Sequence, residues 1–186
     1  MDPKQLTSKE MGEILHNLNE RKEDTDRRLS VVEKNWEKCQ KNKELITREE
    51  AILAASMSSP SLGDKVTSSD DIYHDELLRT LQRSWQLYTI GATSVVSEQN
   101  KLLALQAQYY IIENCINDLS NDDYKVIKSF YLENKTAEEG ADIAQVSLST
   151  FYRLAKDTLN RLTDLYNDEV RKRYLVAEEA QTGTES

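Results

Sequence analysis

Apolar side chains recur at alternating steps of four and three along the first 50 residues, and this spacing predicts one long amphipathic helix. The alternation is the a/d pattern of a coiled coil, although three of its positions are polar. The stripe comprises Met11, Leu15, Leu18, Lys22, Thr25, Leu29, Val32, Trp36, Cys39, Lys43 and Ile46. We therefore predict a coiled-coil-like helical arm over residues 1–56. The arm either pairs with a second copy or folds back as a helical hairpin, and its length of about five heptads favours self-association.

Two capping signatures divide this arm. Thr7 and Glu10 have the S/T-x-x-E spacing of a capping box. In such a box the hydroxyl and the carboxylate each satisfy a backbone N–H group of the first turn. The same spacing in Thr47 and Glu50 predicts that the helix breaks and restarts before Ala51.

The composition then changes. Residues 57–71 are rich in serine and contain one proline and one glycine, which predicts a linker. Helical spacing of apolar residues resumes over 72–118 and predicts a central helical region. Gly91 lies in its middle, where glycine costs about 1 kcal/mol relative to alanine, so the pattern predicts a kink or an interruption.

The C-terminal third predicts two further helices joined by a short turn. Thr136 and Glu139 form another capping box, which opens a short helix. The run from Val146 to Thr150 ends it, because β-branched and hydroxyl side chains favour turns and caps. Ser147 is the predicted N-cap of the next helix. We therefore predict an all-α fold with a helix-turn-helix domain at 119–176, followed by a disordered acidic tail at 177–186.

The helix that follows Ser147 has two distinct faces. Its predicted buried stripe consists of Phe151, Ala155, Thr158, Leu159 and Leu162. The opposite face carries a hydroxyl, a phenol and two cations: Ser149, Tyr152, Arg153 and Lys156. Arginine pairs bidentately with guanine, while lysine and hydroxyl groups suit phosphates. This face is typical of a helix that reads the DNA major groove, and an ordinary solvated face is the alternative interpretation.

The charge of the chain argues against strong non-specific binding of DNA. The net charge is −9, and 31% of the 186 residues are charged. Residues 135–176 are neutral as a group, with seven cationic and seven acidic side chains. Because non-specific affinity grows with the number of phosphates neutralised, we expect weak binding by one chain, strengthened by a dimer or a partner protein.

The sequence offers little for catalysis. Cys39 and Cys115 are far apart, His16 and His74 are single, and no glycine lies in a phosphate-binding loop. We expect no enzymatic activity, no cofactor and no metal. The termini lack an apolar run of membrane-spanning or signal-peptide length, so we expect a cytoplasmic protein in a bacterial host with no membrane partner.

The run LSNDDYKVIKSFYLENKTAEEGADIAQVSLSTFYRLAKDTLNRLTDLY, residues 119–166, resembles the C-terminal promoter-reading domain of sigma factors. Residues 58–166 are most similar to phage transcriptional regulators of the ArpU and RinA type. The resemblance implies sequence-specific binding of promoter DNA and activation of late phage or prophage genes, with RNA polymerase as a further candidate partner. By position, Ser147 matches the cap, and Ser149, Thr150, Tyr152 and Arg153 match the recognition-helix face.

The run departs from the family pattern at three positions. Gly140, Ala144 and Gln145 stand where the pattern has isoleucine, leucine and glycine. The smaller side chains predict either looser packing between the two helices or a register shift that uses Ile143.

Two functions follow from these observations. The first is a DNA-binding transcription regulator that forms a homo-oligomer, most simply a dimer. The alternative is an all-helical phage interaction protein, a packaging or scaffold component such as a terminase small subunit, which uses the helix-turn-helix for protein or non-specific DNA contacts. The acidic balance and the long seam favour the alternative.

Overall fold

The computed structural model describes residues 4–58 and 68–182, with side chains over 4–54 and 76–173. This part of the chain contains six α-helices and one π-helix, and no strand. The helices are α1 (Ser8–Leu15), α2 (Leu18–Ser58), α3 (Ser68–Asn117), α4 (Asn121–Val126), α5 (Ala137–Ala144) and α6 (Leu148–Thr182), with the π-helix at Ile127–Leu132. The all-α prediction is confirmed.

The chain forms two compact units. Unit 1 combines residues 1–27 with 101–186, and unit 2 is Arg28–Asn100. The boundaries between the units therefore lie within α2 and within α3. The domain boundaries predicted from the sequence lie instead where the composition changes. The predicted linker falls largely on residues 59–67, which lie outside the described residues.

The predicted first helix is broken near its start. The capping box of Thr7 and Glu10 is confirmed, because both of its reciprocal bonds are present. However, α1 ends at Leu15, and His16 and Asn17 form a turn before α2. At this turn Asn134 Nδ2 donates to the His16 carbonyl oxygen at 3.1 Å. The break between α1 and α2 is thus accompanied by a hydrogen bond from a residue 118 positions away. The heptad spacing of the apolar residues gives no sign of this break.

Interruptions were also predicted at Thr47 and at Gly91, and neither helix ends there. α2 continues through Thr47, whose hydroxyl donates to the Lys43 carbonyl at 2.9 Å instead of capping a new helix. α3 continues through Gly91, since a 50-residue helix covers this position. Residues 177–182, predicted to be disordered, belong to α6.

Unit 2 is a helical hairpin in which α2 and α3 are antiparallel. Arg28 forms an ion pair with Glu98 near one end, and the Trp85 indole donates to Glu50 at 2.9 Å near the other. The seam residue Ile46 is buried in a small core that also contains Leu53, Leu81, Trp85 and Tyr88. Within this unit the seam of α2 packs against α3 of the same chain, which is the helical-hairpin alternative of the sequence analysis.

Unit 1 has the larger core, to which one face of α6 contributes several of the largest buried side chains. The largest fully buried side chains include Tyr166, Phe151, Met11, Leu15, Ile112 and Leu162. The N-terminal segment and α1 therefore share one hydrophobic core with α6. This segment is part of the unit and not of a separate arm.

Candidate nucleic-acid interface

The candidate interface is the two-helix corner, defined here as α5, residues 145–147 and the first turns of α6. α5 begins with the predicted capping box. The Thr136 backbone N–H donates to Glu139 Oε2 at 2.9 Å, and the Glu139 N–H donates to Thr136 Oγ1 at 3.3 Å. These reciprocal bonds fix the first residue of α5.

The turn is closed by backbone bonds at the end of α5. Gln145 has a left-handed conformation, with φ 54° and ψ 43°. Its N–H donates to the Asp142 carbonyl at 3.1 Å, and the Val146 N–H donates to the Ala141 carbonyl at 3.0 Å. This pair of bonds is the Schellman arrangement, which usually places glycine at the left-handed position. Gln145 therefore performs a turn role that the family pattern assigns to glycine.

Ser147 is the N-cap of α6, as predicted. Its Oγ accepts from the Thr150 backbone N–H at 3.3 Å and lies 2.8 Å from Thr150 Oγ1 and 3.2 Å from Ser149 Oγ. The Phe151 N–H donates to the Ser147 carbonyl at 2.8 Å and starts the helical bonding. The three hydroxyl groups at the start of α6 thus form one local hydrogen-bond cluster.

Both explanations offered for Gly140 are wrong. A Cβ atom at this position would lie 2.3 to 2.9 Å from three ring atoms of Phe151, so the ring occupies the space of the missing side chain. The packing is therefore tight. Ile143 does not replace the expected core residue, because its side chain is 43% exposed while Ala141 is buried. An aromatic ring from α6 compensates for the small residue on α5.

The two faces of α6 are arranged as predicted. Phe151, Ala155, Thr158 and Leu162 are buried in unit 1, and Leu159 packs partly against the same core. On the opposite side the predicted site residues come together over two turns. Ser147, Ser149, Tyr152, Arg153 and Lys156 are exposed, and Thr150 is half-buried. Tyr152 is 54% exposed, so the phenol is accessible to a partner.

The cations of this face differ from most of the others in unit 1. Within the described residues, Arg153 and Lys156 form no ion pair, whereas Lys125, Lys128, Lys135, Arg161, Arg171 and Arg173 each have an acidic partner within 4.0 Å. Charge that is not neutralised by a neighbouring carboxylate is available for an external anion.

Three consecutive basic residues further along α6, Arg171 to Arg173, form a cluster whose charge is mostly neutralised. Arg171 lies 3.6 Å from Asp168, and Arg173 lies 3.1 Å from Glu169. Both are pairs between neighbouring turns of one helix. Lys172, which is exposed, lies between them. These contacts engage both arginines with carboxylates of their own helix, so they favour a solvent-facing cluster over a phosphate contact.

A buried carboxylate braces α6 and was missed by the sequence analysis. Asp123 accepts from Thr158 Oγ1 and from Ser120 Oγ, both at 2.8 Å, and pairs with Arg161. Burial raises the pKa of this carboxyl, but the bonds from Thr158 and Ser120 together with the Arg161 charge outweigh burial and hold the pKa below its ordinary value. The Ser120-x-x-Asp123 spacing is typical of a helix cap and carries no sign of the bonds to α6.

The N-terminal segment forms a second brace that no local pattern indicates. The Asn167 side-chain amide bonds both backbone groups of Leu6, accepting from its N–H and donating to its carbonyl, each at 2.9 Å. The hydroxyl of Tyr166 donates to the Lys4 carbonyl at 3.2 Å. Lys4 and Leu6 thus hold the N-terminal segment to α6 at Tyr166 and Asn167.

Other site types find no support in the part of the chain that the structure describes. It contains no group of three or more His, Cys, Asp or Glu side chains placed to hold a metal ion. Its helices also include none that is both long and apolar enough to cross a membrane. Comparison with known proteins gives no match to a family model, a curated protein or a solved structure.

Proposed function

We propose that this chain is a sequence-specific DNA-binding transcription regulator that inserts the start of α6 into the major groove of promoter DNA. The observation that carries the proposal is the outward face of α6, where Tyr152, Arg153 and Lys156 are exposed and the two cations have no ion pair within the described residues. The resemblance to sigma-like phage regulators suggests late phage or prophage genes as targets. It also suggests RNA polymerase as a further partner.

The roles of the residues follow from their chemistry. Arg153 reads a base edge, because its planar guanidinium matches the two acceptors of guanine. Lys156 and the hydroxyl groups of Ser149 and Thr150 contact phosphates and position the helix, and Tyr152 adds apolar contact area. Ser147 acts by capping α6, so that these side chains project from a fixed helix start.

Selection from a pool of random duplexes, followed by affinity measurements across a salt series, tests this proposal. The wild-type chain should enrich a motif, and affinity should fall steeply with salt. Arg153→Ala should lose sequence preference, with about 1–3 kcal/mol less discrimination at one base pair. Lys156→Ala should weaken all sequences alike and reduce the salt slope by about one unit.

Lys172→Ala is the matched control, since it removes one exposed cation from the same helix, away from the corner. It should leave the enriched motif and the salt slope unchanged. A pool that shows no enrichment at low salt, or equal effects of Lys156→Ala and Lys172→Ala, would count against the proposal.

A specific observation also favours the alternative, a phage interaction protein of the packaging or scaffold type. Ile143 and Leu148 are exposed apolar side chains on either side of the turn. Exposed apolar groups at one corner suit a protein surface. Under this alternative, Leu148→Ser would abolish capture of a phage protein, while Arg153→Ala would not.

A further inference from the structure

One side of the unit 2 hairpin is an open groove that none of the described side chains of this unit fills. The groove has a volume of about 410 Å³ and runs between α2 and α3. Ile46 is buried within it, and Leu45 and Leu87 line it with more than half of each side chain exposed. The small residues Ser84 and Gly91 line the α3 side, so a neighbouring helix can approach closely there.

The exposed apolar residues of α2 follow their own heptad row. The row is one position before the buried stripe and consists of the apolar residues Val31, Leu45 and Ile52, with Lys38 at the remaining heptad position. Val31, Leu45 and Ile52 are all more than half exposed. A row of apolar side chains at a seven-residue repeat is the pattern of a helix that packs against another helix. Because α3 already covers the buried stripe, this second row needs a different partner.

The groove carries little charge for a strongly charged chain. Glu49 is the only charged side chain among the nine residues that line the groove, although 31% of the whole chain is charged. Two copies with a net charge of −9 repel each other over most of their surfaces. This face therefore lets two copies approach at a low electrostatic cost.

We propose that the groove is the interface through which a second copy of the chain docks, with the α2 helices of the two copies antiparallel. Such an arrangement is two-fold symmetric and uses the same surface twice. With the axis between residues 43 and 44, Lys38 lies opposite Glu49 of the partner subunit. In the same register Leu45 lies opposite Asn42 of the partner subunit. The register thus pairs opposite charges and places an apolar side chain over an uncharged one.

The available area matches what a dimer needs. The row from Val31 to Ile52 is about 32 Å long at 1.5 Å per residue, and two helices side by side are about 20 Å wide. Each copy therefore presents about 600 Å², and the pair about 1,200 Å², which is the lower end of specific interfaces. The dimer proposed here uses the outer face of the hairpin and not the a/d seam.

Sedimentation equilibrium of the full chain over a wide concentration range tests the interface. The wild type should show a concentration-dependent dimer. Leu87→Glu should raise the dimer dissociation constant about 100-fold, because it places a charge where apolar surface is buried. Ile90→Glu is the matched control, since Ile90 is 69% exposed, close to the 66% of Leu87, but does not line the groove. It should leave the constant unchanged.

Disulfide trapping is the second measurement and does not depend on how the glutamate variants fold. In a Cys39→Ser background, Asn42→Cys should give disulfide-linked dimers, because position 42 lies next to the axis. Lys41→Cys, on the outer side of α2, should not. A single-chain mass at every concentration, or equal behaviour of the two members of either pair, would overturn the proposal. Neither measurement involves DNA, so the outcome is independent of the proposed function.

Discussion

The ring of Phe151 lies against the backbone of Gly140, so closely that a methyl group on Gly140 would stand 2.3 Å from Cζ. This contact joins α5 to α6 and sets the geometry of the two-helix corner. Gly140→Ala should therefore destabilise the protein. Overpacking costs about 1–3 kcal/mol, and the better helix propensity of alanine offsets about 1 kcal/mol of it. Urea unfolding followed by circular dichroism measures the difference.

Gly12→Ala provides the comparison for that prediction. Gly12 is also a buried helical glycine of unit 1, but an added Cβ would meet its nearest neighbours at ordinary contact distances of 3.5 and 3.6 Å. The Gly12→Ala substitution should therefore stabilise the protein by about 0.5–1 kcal/mol. Destabilisation by both variants alike would show that the Phe151 contact is not what makes Gly140 necessary.

Gln145→Gly should stabilise the protein. Gln145 has φ 54°, a left-handed conformation that costs a residue with a Cβ about 1 kcal/mol or more. Glycine adopts it without that cost, and the two Schellman bonds are made by the backbone, so they persist. We expect a gain of about 1 kcal/mol in unfolding free energy. Gln145→Ala, which keeps the Cβ, should give no such gain.

Asp123 should make stability depend on pH in the acid range. Its pKa is lowered in the folded chain, so its contribution is fully present above the unfolded value of about 3.9 and is lost as pH falls through the folded value. Asp123→Asn should cost about 1–2 kcal/mol at neutral pH and flatten the acid-induced loss. Unfolding free energies from urea titrations between neutral and acid pH measure both effects.

Asp122→Asn is the control for this brace. The Asp122 side chain is 94% exposed and pairs with Lys125, whereas that of Asp123 is 12% exposed. The control should change stability by less than about 0.5 kcal/mol. An equal loss in both variants would mean that the buried bonds to Thr158 and Arg161 do not hold α4 to α6.

The side-chain amide of Asn167 should contribute more to the free energy of unfolding than an ordinary polar side chain on a helix surface. Asn167→Ala leaves the N–H and carbonyl groups of Leu6 without their partner, which should cost about 1–3 kcal/mol. Asn160→Ala removes an exposed amide that contacts only the Ser8 hydroxyl among the bonds described for it, and should cost much less. Hydrogen exchange of the Leu6 amide reports the loss directly, because faster exchange should appear only in Asn167→Ala.

Cys115 should resist thiol reagents in the native state. It is 4% exposed, and burial, with the nearby charges of Asp118 and Glu169, raises the pKa of its thiol. In a Cys39→Ser variant, labelling should therefore proceed at the rate of unfolding and accelerate with urea. Rapid labelling without denaturant would contradict the packing of α3 against the core of unit 1.

The amino-acid sequence alone determined the features that depend on neighbours within one or two helical turns. The caps at Thr7, Thr136 and Ser147 follow from side chains that bond backbone groups three residues away. The buried stripe of α6 follows from the 3.6-residue period, and the same period placed Tyr152, Arg153 and Lys156 together on the outward face.

Only the tertiary structure decided which elements share a core and which surfaces remain free. The bond between Leu6 and Asn167 joins residues 161 positions apart, and no periodicity encodes it. The fit of Phe151 against Gly140 likewise depends on how two helices cross. From the sequence alone, the absence of a side chain at Gly140 predicts a packing gap, because the ring that fills the space cannot be identified. From the sequence, the a/d seam of α2 could pack against a second copy or against α3 of the same chain, because either one offers an apolar helix face. The burial of Ile46 with Leu81 shows that the seam of unit 2 packs within the chain itself, while Val31, Leu45 and Ile52 of the outer row remain exposed.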